Sequence, residues 1–273
     1  MMKQARGGYS ASAIAWEDAR ALNVDASGTV LSLLPGQYAR AVLFDGRPAD
    51  PGMANRRFLV QWRGRGTVDY TNVKVLSRSP NQDLIQLANI TGPNSELTMS
   101  VVITSTEPAD PLRQVSMLPE RGGICASNPL LAVGGPSRCP RSDFLTFARH
   151  HAAIVFNPAF LDGLKRYKVT RFMDWQCTNN APALAFRQRA APHHQFWTSQ
   201  TKGVPLEVMV ALANVLRADP WFCIPHRADD AYVTTFAAVV RDQLGPSLRA
   251  HFEYSNEVGM ATVTQTVIRD WHR

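Results

Sequence analysis

A strand–helix–strand pattern near the end of the chain constrains the fold more than any other feature. The apolar segment 219–226 predicts a strand with a terminal histidine, and 229–244 has apolar residues at helical spacing. A second predicted strand, 251–258, ends with Asn256 and Glu257. Polar groups at the carboxyl ends of parallel strands are where a (β/α) barrel carries its chemistry. The segment therefore predicts a parallel sheet with a site at one end.

The same alternation begins upstream of this segment. A strand over 169–175 and a helix after Gly203 precede it, and right-handed crossovers are the usual connection between parallel strands. Asp174 and Trp175 lie at the end of that strand. We expect residues 156–273 to form a partial barrel of the TIM type.

Residues 28–118 have a different texture, with short apolar runs separated by turns rich in Gly, Pro and Asn. This spacing is typical of an antiparallel β-sandwich. Residues 1–27 are poorly patterned, and 119–155 are expected to form a long irregular connection. The predicted fold class is thus α+β in two parts: an N-terminal antiparallel β-sandwich followed by a partial (β/α) TIM-type barrel.

Composition narrows the classes of function. Of 273 residues, 45% are hydrophobic and 19% charged, which is typical of a globular protein. The net charge of +7 would suit nucleic acid, an acidic glycan or an anionic surface. The arginines are scattered, however, and no basic helix or zinc-finger spacing occurs, so nucleic acid is not an expected partner. No run approaches the ~18 apolar residues of a membrane span, so none is expected.

The cysteines differ in their surroundings. Cys125 and Cys139 flank a loop rich in Gly, Pro and Ser, which predicts a disulfide if the compartment is oxidising. Cys177 and Cys223 lie near predicted strand ends and are expected to be buried free thiols. The histidine pair in loop 176–202 has no Asp, Glu or Cys at ligand spacing. The sequence therefore predicts neither a metal site nor a cofactor.

Four motifs resemble one family. They are Arg-Phe-Met-Asp-Trp from Arg171, Gly-Val-Pro-Leu-Glu from Gly203, Asp-Pro-Trp-Phe-x-Ile-Pro-His from Asp219, and Glu-Tyr-Ser-Asn-Glu-Val from Glu253. Together they resemble bacterial carbohydrate-active proteins related to the retaining (β/α)8 glycoside hydrolases of clan A, whose relatives are often described as cellulose-binding. The resemblance covers residues 55–258 and is more specific from Arg171 onward.

The resemblance implies roles for three residues. Glu257 would be the general acid/base of glycoside cleavage, and Asn256 would bind the sugar 2-hydroxyl. Arg171 would orient the nucleophile, and a salt-bridged core arginine is the open alternative. Because adjacent residues on a regular strand face opposite ways, Asn256 and Glu257 can reach one site only if the strand ends or bulges there.

Three further residues are candidates from their position. His226 is expected to contact sugar at the end of its strand, with a buried structural histidine as the alternative. Asp174 and Trp175 also end a strand, where the indole could stack on a pyranose ring. Trp221 is expected to be a packing residue, as is Trp197.

The chain departs from the family pattern after Val258, where Gly259-Met260 replaces the expected Trp-Asn. The resemblance leads us to expect that barrel strands five to eight, and the nucleophilic glutamate of the seventh, are missing from this sequence. A retaining mechanism needs two carboxyl groups ~5–5.5 Å apart, so catalysis is expected to be impaired in what looks like a truncated member. Glu253 is not expected to substitute, because it lies ~13 Å from Glu257 along the same strand.

The expected function is therefore binding of a polysaccharide or oligosaccharide by a protein of glycoside hydrolase ancestry. The alternatives are a non-catalytic carbohydrate-binding module, such as one for cellulose, and an interaction protein. Exposed sheet edges would favour association with another chain. Full-length relatives are expected to be secreted or periplasmic, but the first residues lack the apolar core of a signal peptide, which leaves the compartment open.

Overall fold

The structure, a computed structural model, consists of two compact units. The first comprises Met1–Asp162 and His194–Phe196, and the second Gly163–His193 and Trp197–Arg273. The chain first passes from one unit to the other between Asp162 and Gly163. The structure describes residues 6–9, 22–48, 55–88, 96–140, 142–182, 185–195, 197 and 202–256.

The first unit is built mainly of β-strands. Its strands are β1 Arg6–Tyr9, β2 Asn23–Val24, β3 Val30–Ser32, β4 Ala39–Pro48, β5 Arg57–Arg63, β6 Gly66–Thr71, β7 Val73–Ser79, β8 Gln82–Leu87, β9 Glu96–Thr106, β10 Arg113–Pro119, β11 Gly123–Cys125, β12 Asn128–Val133 and β13 Phe144–Thr146. The short helix α1 (Phe147–His150) follows them, and α2 (Pro158–Leu164) runs across the boundary between the units.

Two four-stranded antiparallel sheets form the larger part of this unit. Their strand orders are β1-β4-β9-β6 and β10-β5-β8-β7. One hydrophobic core draws on both sheets, with Val68 and Met99 from the first and Val60 and Ile85 from the second all buried. Each such side chain contributes ~1.5–3 kcal/mol by burial, so this shared core is the main source of stability here.

Asparagine makes the tight turns on either side of β7. Asn72 links β6 to β7 and Asn81 links β7 to β8, and each has a φ of 58°. Asparagine tolerates this left-handed conformation better than other residues with a Cβ. Alternate side chains along β8 face the core, which buries Asp83, Ile85 and Leu87.

The segment expected to be an irregular connection, 119–155, contains a third sheet. Its order is β12-β11-β13, and all its pairings are antiparallel. Cys125 at the end of β11 forms a disulfide with Cys139, and their Cα atoms are 5.3 Å apart. The predicted disulfide is thus confirmed. The strands of this sheet are too short to give a periodic sequence signal.

The second unit contains a three-stranded parallel sheet with order β14-β15-β16. The strands β14 (Val169–Arg171), β15 (Asp219–Ile224) and β16 (His251–Tyr254) alternate with the helices α3 (Leu206–Leu216) and α4 (Asp230–Gln243). Asp229 caps α4, because its carboxylate accepts a hydrogen bond from the backbone N–H of Tyr232 over 2.6 Å.

An aromatic cluster packs β15 against its neighbours. The ring of Phe222 lies 5.4 Å from that of Phe236 on α4, 5.6 Å from Phe172 and 5.8 Å from Phe252. Phe172, Phe222 and Phe236 are almost fully buried. This cluster occupies one side of the sheet, and alternation along β15 sends Trp221 and Cys223 to the other.

The predicted fold class, with its partial TIM-type barrel, is wrong. Strand accounts for 39% of the structure and helix for 21%, so the protein is mainly β, with several small antiparallel sheets. The described residues contain no succession of eight β/α units. Closing a barrel takes about eight parallel strands, and the described part of the chain supplies three. Within the described ranges, no helix combines the length and apolar character needed to cross a membrane.

Candidate binding site on the parallel sheet

The carboxylate of Glu253, on β16, is the centre of a polar cluster. Its Oε2 accepts hydrogen bonds from Nη2 of Arg171 over 2.7 Å and from Nε of the same residue over 3.2 Å. The indole Nε1 of Trp221 donates to the same oxygen over 3.0 Å, and Sγ of Cys223 over 3.4 Å. One side chain from β14 and two from β15 therefore donate to one carboxylate oxygen on β16.

Strand register explains this convergence. Arg171 is paired with Trp221 across β14 and β15, and Cys223 is paired with Glu253 across β15 and β16. Residues 221, 223 and 253 then share one face of the sheet, since side chains alternate along a strand. Parallel pairing thus brings together groups that are 82 residues apart in the chain.

Two asparagines extend the cluster beyond the end of β16. Nη2 of Arg171 donates to Oδ1 of Asn256 over 2.6 Å, and Nδ2 of Asn256 donates to Oδ1 of Asn179 over 3.1 Å. Ser255, which lies between Glu253 and Asn256 in the chain, has a φ of 60°, in the left-handed region. This turn breaks the strand alternation, so that Glu253 and Asn256 can both reach one guanidinium group.

The cluster is partly open to solvent. The side chains of Arg171 and Glu253 are 33% and 25% exposed, and Trp221 is 38% exposed. The guanidinium carbon of Arg171 lies 5.3 Å from the Trp221 ring centroid, close enough for a cation–π interaction. These contacts fix the orientation of the indole while leaving part of it accessible.

Burial, and then the hydrogen bond to Glu253, raises the pKa of the Cys223 thiol to about 12. The thiol is therefore protonated at neutral pH and serves as a donor. It is not a nucleophile under these conditions. Its role is to help hold the Glu253 carboxylate.

The structure brings two of the predicted site residues together, Arg171 and Asn256, which are directly hydrogen-bonded. Asp174 is exposed in the turn after β14, where its carbonyl accepts from Cys177. Trp175 packs its ring 5.6 Å from Phe172. Glu257 lies outside the described residues.

His226 follows β15, and its carbonyl accepts a hydrogen bond from the Tyr254 hydroxyl over 2.8 Å. Burial and the nearby charge of Arg227 lower the pKa of its imidazole. The ring is therefore neutral at physiological pH.

Sequence reasoning missed four members of the cluster: Glu253, Trp221, Cys223 and Asn179. Trp221 was expected to be a packing residue, because an aromatic residue in an apolar strand is usually buried. The available signal was alternation, which puts Trp221 on the face opposite the buried Phe222. No sequence signal identified Arg171 as the partner of Glu253.

Comparison of the chain with family models, characterised proteins and solved structures finds no match. Among the described residues, the one grouping of His, Cys, Asp and Glu compact enough for a metal ion lies in the first unit, at Cys125, Cys139 and Asp143. The Glu253 cluster consists of a paired cation and carboxylate, two amides and an indole. These groups can make hydrogen bonds and apolar contacts with a ligand.

Proposed function

We propose that this protein binds a polysaccharide or oligosaccharide on the face of the parallel sheet that carries Arg171, Trp221 and Glu253. The observation that carries the proposal is the partly exposed indole of Trp221 beside a fixed array of hydrogen-bonding groups. An indole offers an apolar surface for the C–H face of a pyranose ring. Carboxylate and amide groups offer acceptors and donors for its hydroxyls.

Charge favours a neutral ligand over an anion. The guanidinium of Arg171 is already paired with the Glu253 carboxylate at 2.7 Å, so little net charge is left at the cluster. The amides of Asn256 and Asn179 add neutral donors and acceptors. A phosphate or nucleic acid would instead need unpaired cations, typically several arginines or lysines in one patch.

The resemblance to cellulose-binding relatives of clan A glycoside hydrolases suggests which glycans to test first. These are β-linked glucans and mannans. Binding, not hydrolysis, is the proposed activity, because the described residues place one carboxylate in the cluster, that of Glu253, and it is ion-paired. Retaining hydrolysis needs one protonated and one ionised carboxyl group on opposite sides of the sugar.

The proposal is tested by titrating the purified chain with cello- and manno-oligosaccharides in a calorimeter. Trp221→Ala should weaken binding by about tenfold, which corresponds to ~1.4 kcal/mol. Tyr167→Ala is the matched control, since Tyr167 is an exposed aromatic of the same unit, 61% accessible, outside the cluster. Wild-type protein that binds none of these glycans, or Trp221→Ala that binds as tightly as wild type, would overturn the proposal.

A further inference from the structure

A second cluster lies in the first unit, at the three-stranded sheet β12-β11-β13. One ligand atom each from Cys125, Cys139 and Asp143 lies within 4.8 Å of the other two. The two sulfur atoms are joined in the disulfide. Cys125 is buried, whereas Cys139 and Asp143 are half-buried.

The position of Asp143 beside Cys125 does not depend on the disulfide. Cys125 is paired with Phe144 in the register of β11 and β13, which places Asp143 next to the end of β11. The carbonyl of Asp143 accepts from Ala126 N–H over 2.9 Å, and its Oδ2 accepts from Ser127 N–H over 2.9 Å. These sheet and turn contacts are made by backbone and carboxylate atoms and do not involve the sulfur atoms.

Cys139 is held by its own local structure. It follows the 3-10 helix Pro136–Arg138, and its N–H donates to the carbonyl of Pro136 over 3.0 Å. Because its Cα lies 5.3 Å from that of Cys125, a rotation of the side chains is enough to separate the two sulfur atoms. The backbone around the cluster need not rearrange.

We propose that the disulfide conceals a zinc site, formed by Cys125, Cys139 and Asp143 once the disulfide is reduced. Zinc prefers thiolate, imidazole and carboxylate ligands in tetrahedral geometry, and three protein ligands leave the fourth position to water. Bonds of ~2.3 Å to sulfur at a tetrahedral angle put two thiolates ~3.8 Å apart. That sulfur–sulfur separation is shorter than the 4.8 Å within which the ligand atoms of Cys125, Cys139 and Asp143 already lie.

A dithiol can reduce the disulfide between Cys125 and Cys139. The dithiol gives two electrons and two protons to the disulfide, which becomes two cysteine thiols, and the reductant leaves as a cyclic disulfide. Zinc then binds the two sulfurs as thiolates, and two protons are released to solvent. The oxidised and zinc-bound states therefore exclude each other.

The test uses the full chain, reduced with a small dithiol that is removed by anaerobic gel filtration, and Co²⁺ as a spectroscopic probe for zinc. Reduced wild type should bind one equivalent of Co²⁺ with sulfur-to-cobalt charge-transfer absorption, and Zn²⁺ should abolish that absorption. Oxidised wild type should show none, although it retains Cys177 and Cys223 as free thiols. Absence of the charge-transfer bands in the reduced protein would overturn the proposal.

Variants separate this site from incidental thiol binding. Asp143→Asn keeps both thiols and should weaken Zn²⁺ binding by at least about tenfold in competition with a chromophoric chelator. Asp242→Asn, which changes a carboxylate on the surface of α4, should bind as wild type. Cys125→Ser/Cys139→Ser should lose the charge-transfer bands, with folding checked by circular dichroism. Equal zinc affinity of Asp143→Asn and wild type would remove Asp143 from the site and contradict the proposal.

Discussion

The Tyr70 hydroxyl donates to Oδ2 of Asp83 over 2.9 Å, and the two residues belong to different four-stranded sheets of the first unit. Asp83 is buried, and Nη1 of Arg78 donates to the same oxygen over 3.1 Å. Burial, followed by the hydrogen bond to Asp83, raises the pKa of Tyr70 well above its ordinary value. The bond thus links the sheets through a hydroxyl that remains protonated.

Tyr70→Phe should lower the free energy of unfolding by ~1–3 kcal/mol, because it removes a donor from a buried carboxylate. Urea unfolding followed by fluorescence measures the change. Tyr167→Phe, at an exposed position, should have little effect. Equal midpoints for the two variants would show that the bond between the sheets contributes nothing.

The pair Arg171 and Glu253 should show a measurable coupling energy. Because both side chains are partly buried and two guanidinium nitrogens contact one oxygen, a double-mutant cycle with Arg171→Met and Glu253→Gln should give ~1 kcal/mol. The pair Arg241 and Asp242 is 75% and 59% exposed and provides the control. Its coupling should be close to zero, since exposed ion pairs contribute little. Two equal coupling energies would argue against a special role for the cluster.

The Cys223 thiol should make the protein less stable at alkaline pH. Its pKa is raised to about 12 in the folded protein, chiefly by burial, whereas the unfolded thiol ionises at an ordinary pKa. The folded state then holds more protons between these two values, so the stabilising contribution is complete below the unfolded pKa and is lost as the pH rises toward about 12.

Cys223→Ala should therefore make the decline of unfolding free energy with pH shallower by up to ~1.4 kcal/mol per pH unit in that window. Urea titrations at a series of alkaline pH values test this, with Cys177→Ala as the matched control. Parallel curves for wild type and Cys223→Ala would contradict the assignment.

Loss of the disulfide should cost ~3 kcal/mol, the chain-entropy estimate for a closed loop of ~15 residues. Cys125→Ser/Cys139→Ser should show this loss in urea unfolding, and reduced wild type in the presence of a chelator should match it. The chelator matters because zinc binding would restore part of the stability. A double variant as stable as oxidised wild type would mean that the sheet β12-β11-β13 keeps the loop between residues 125 and 139 in place without the disulfide.

Two glycines of the second unit should respond to alanine in opposite directions. Gly203 has a φ of 66°, and a Cβ there would lie 2.1 Å from the carbonyl oxygen of Trp175, so Gly203→Ala should be strongly destabilising. Gly163, inside α2, has open space around it, and Gly163→Ala should stabilise by ~0.5–1 kcal/mol. The midpoint of thermal unfolding of each variant measures these changes. Two midpoints that shift in the same direction would refute the explanation from glycine conformation.

Sequence patterns predicted the local structure well where they are periodic. Two of the short apolar runs within residues 28–118, Phe58–Trp62 and Leu84–Leu87, lie in β5 and β8. The strand–helix–strand pattern gives β15, α4 and β16. The barrel prediction failed because local patterns specify strands and crossovers, not how many strands a sheet contains. That number depends on pairing across the whole chain.

The candidate site could be predicted only in part for the same reason. Arg171 and Asn256 were identified through the family resemblance, but the contact of Arg171 with Glu253 depends on the register of three strands. The exposure of Trp221 likewise depends on what covers that face of the sheet. Register and coverage are tertiary properties, and residue spacing does not encode either one.

The central place of β9 in its sheet has a consequence for synthesis on the ribosome. Both β4 and β6 use β9 as a neighbour, and the β4–β9 register joins Ala39 to Ile103. The sheet therefore cannot be completed until the chain has been translated past residue 106, whereas the β7–β8 hairpin needs only its own turn. A nascent chain paused before that point would present unpaired strand edges to chaperones, and expression at a lower rate of elongation should lengthen that exposure.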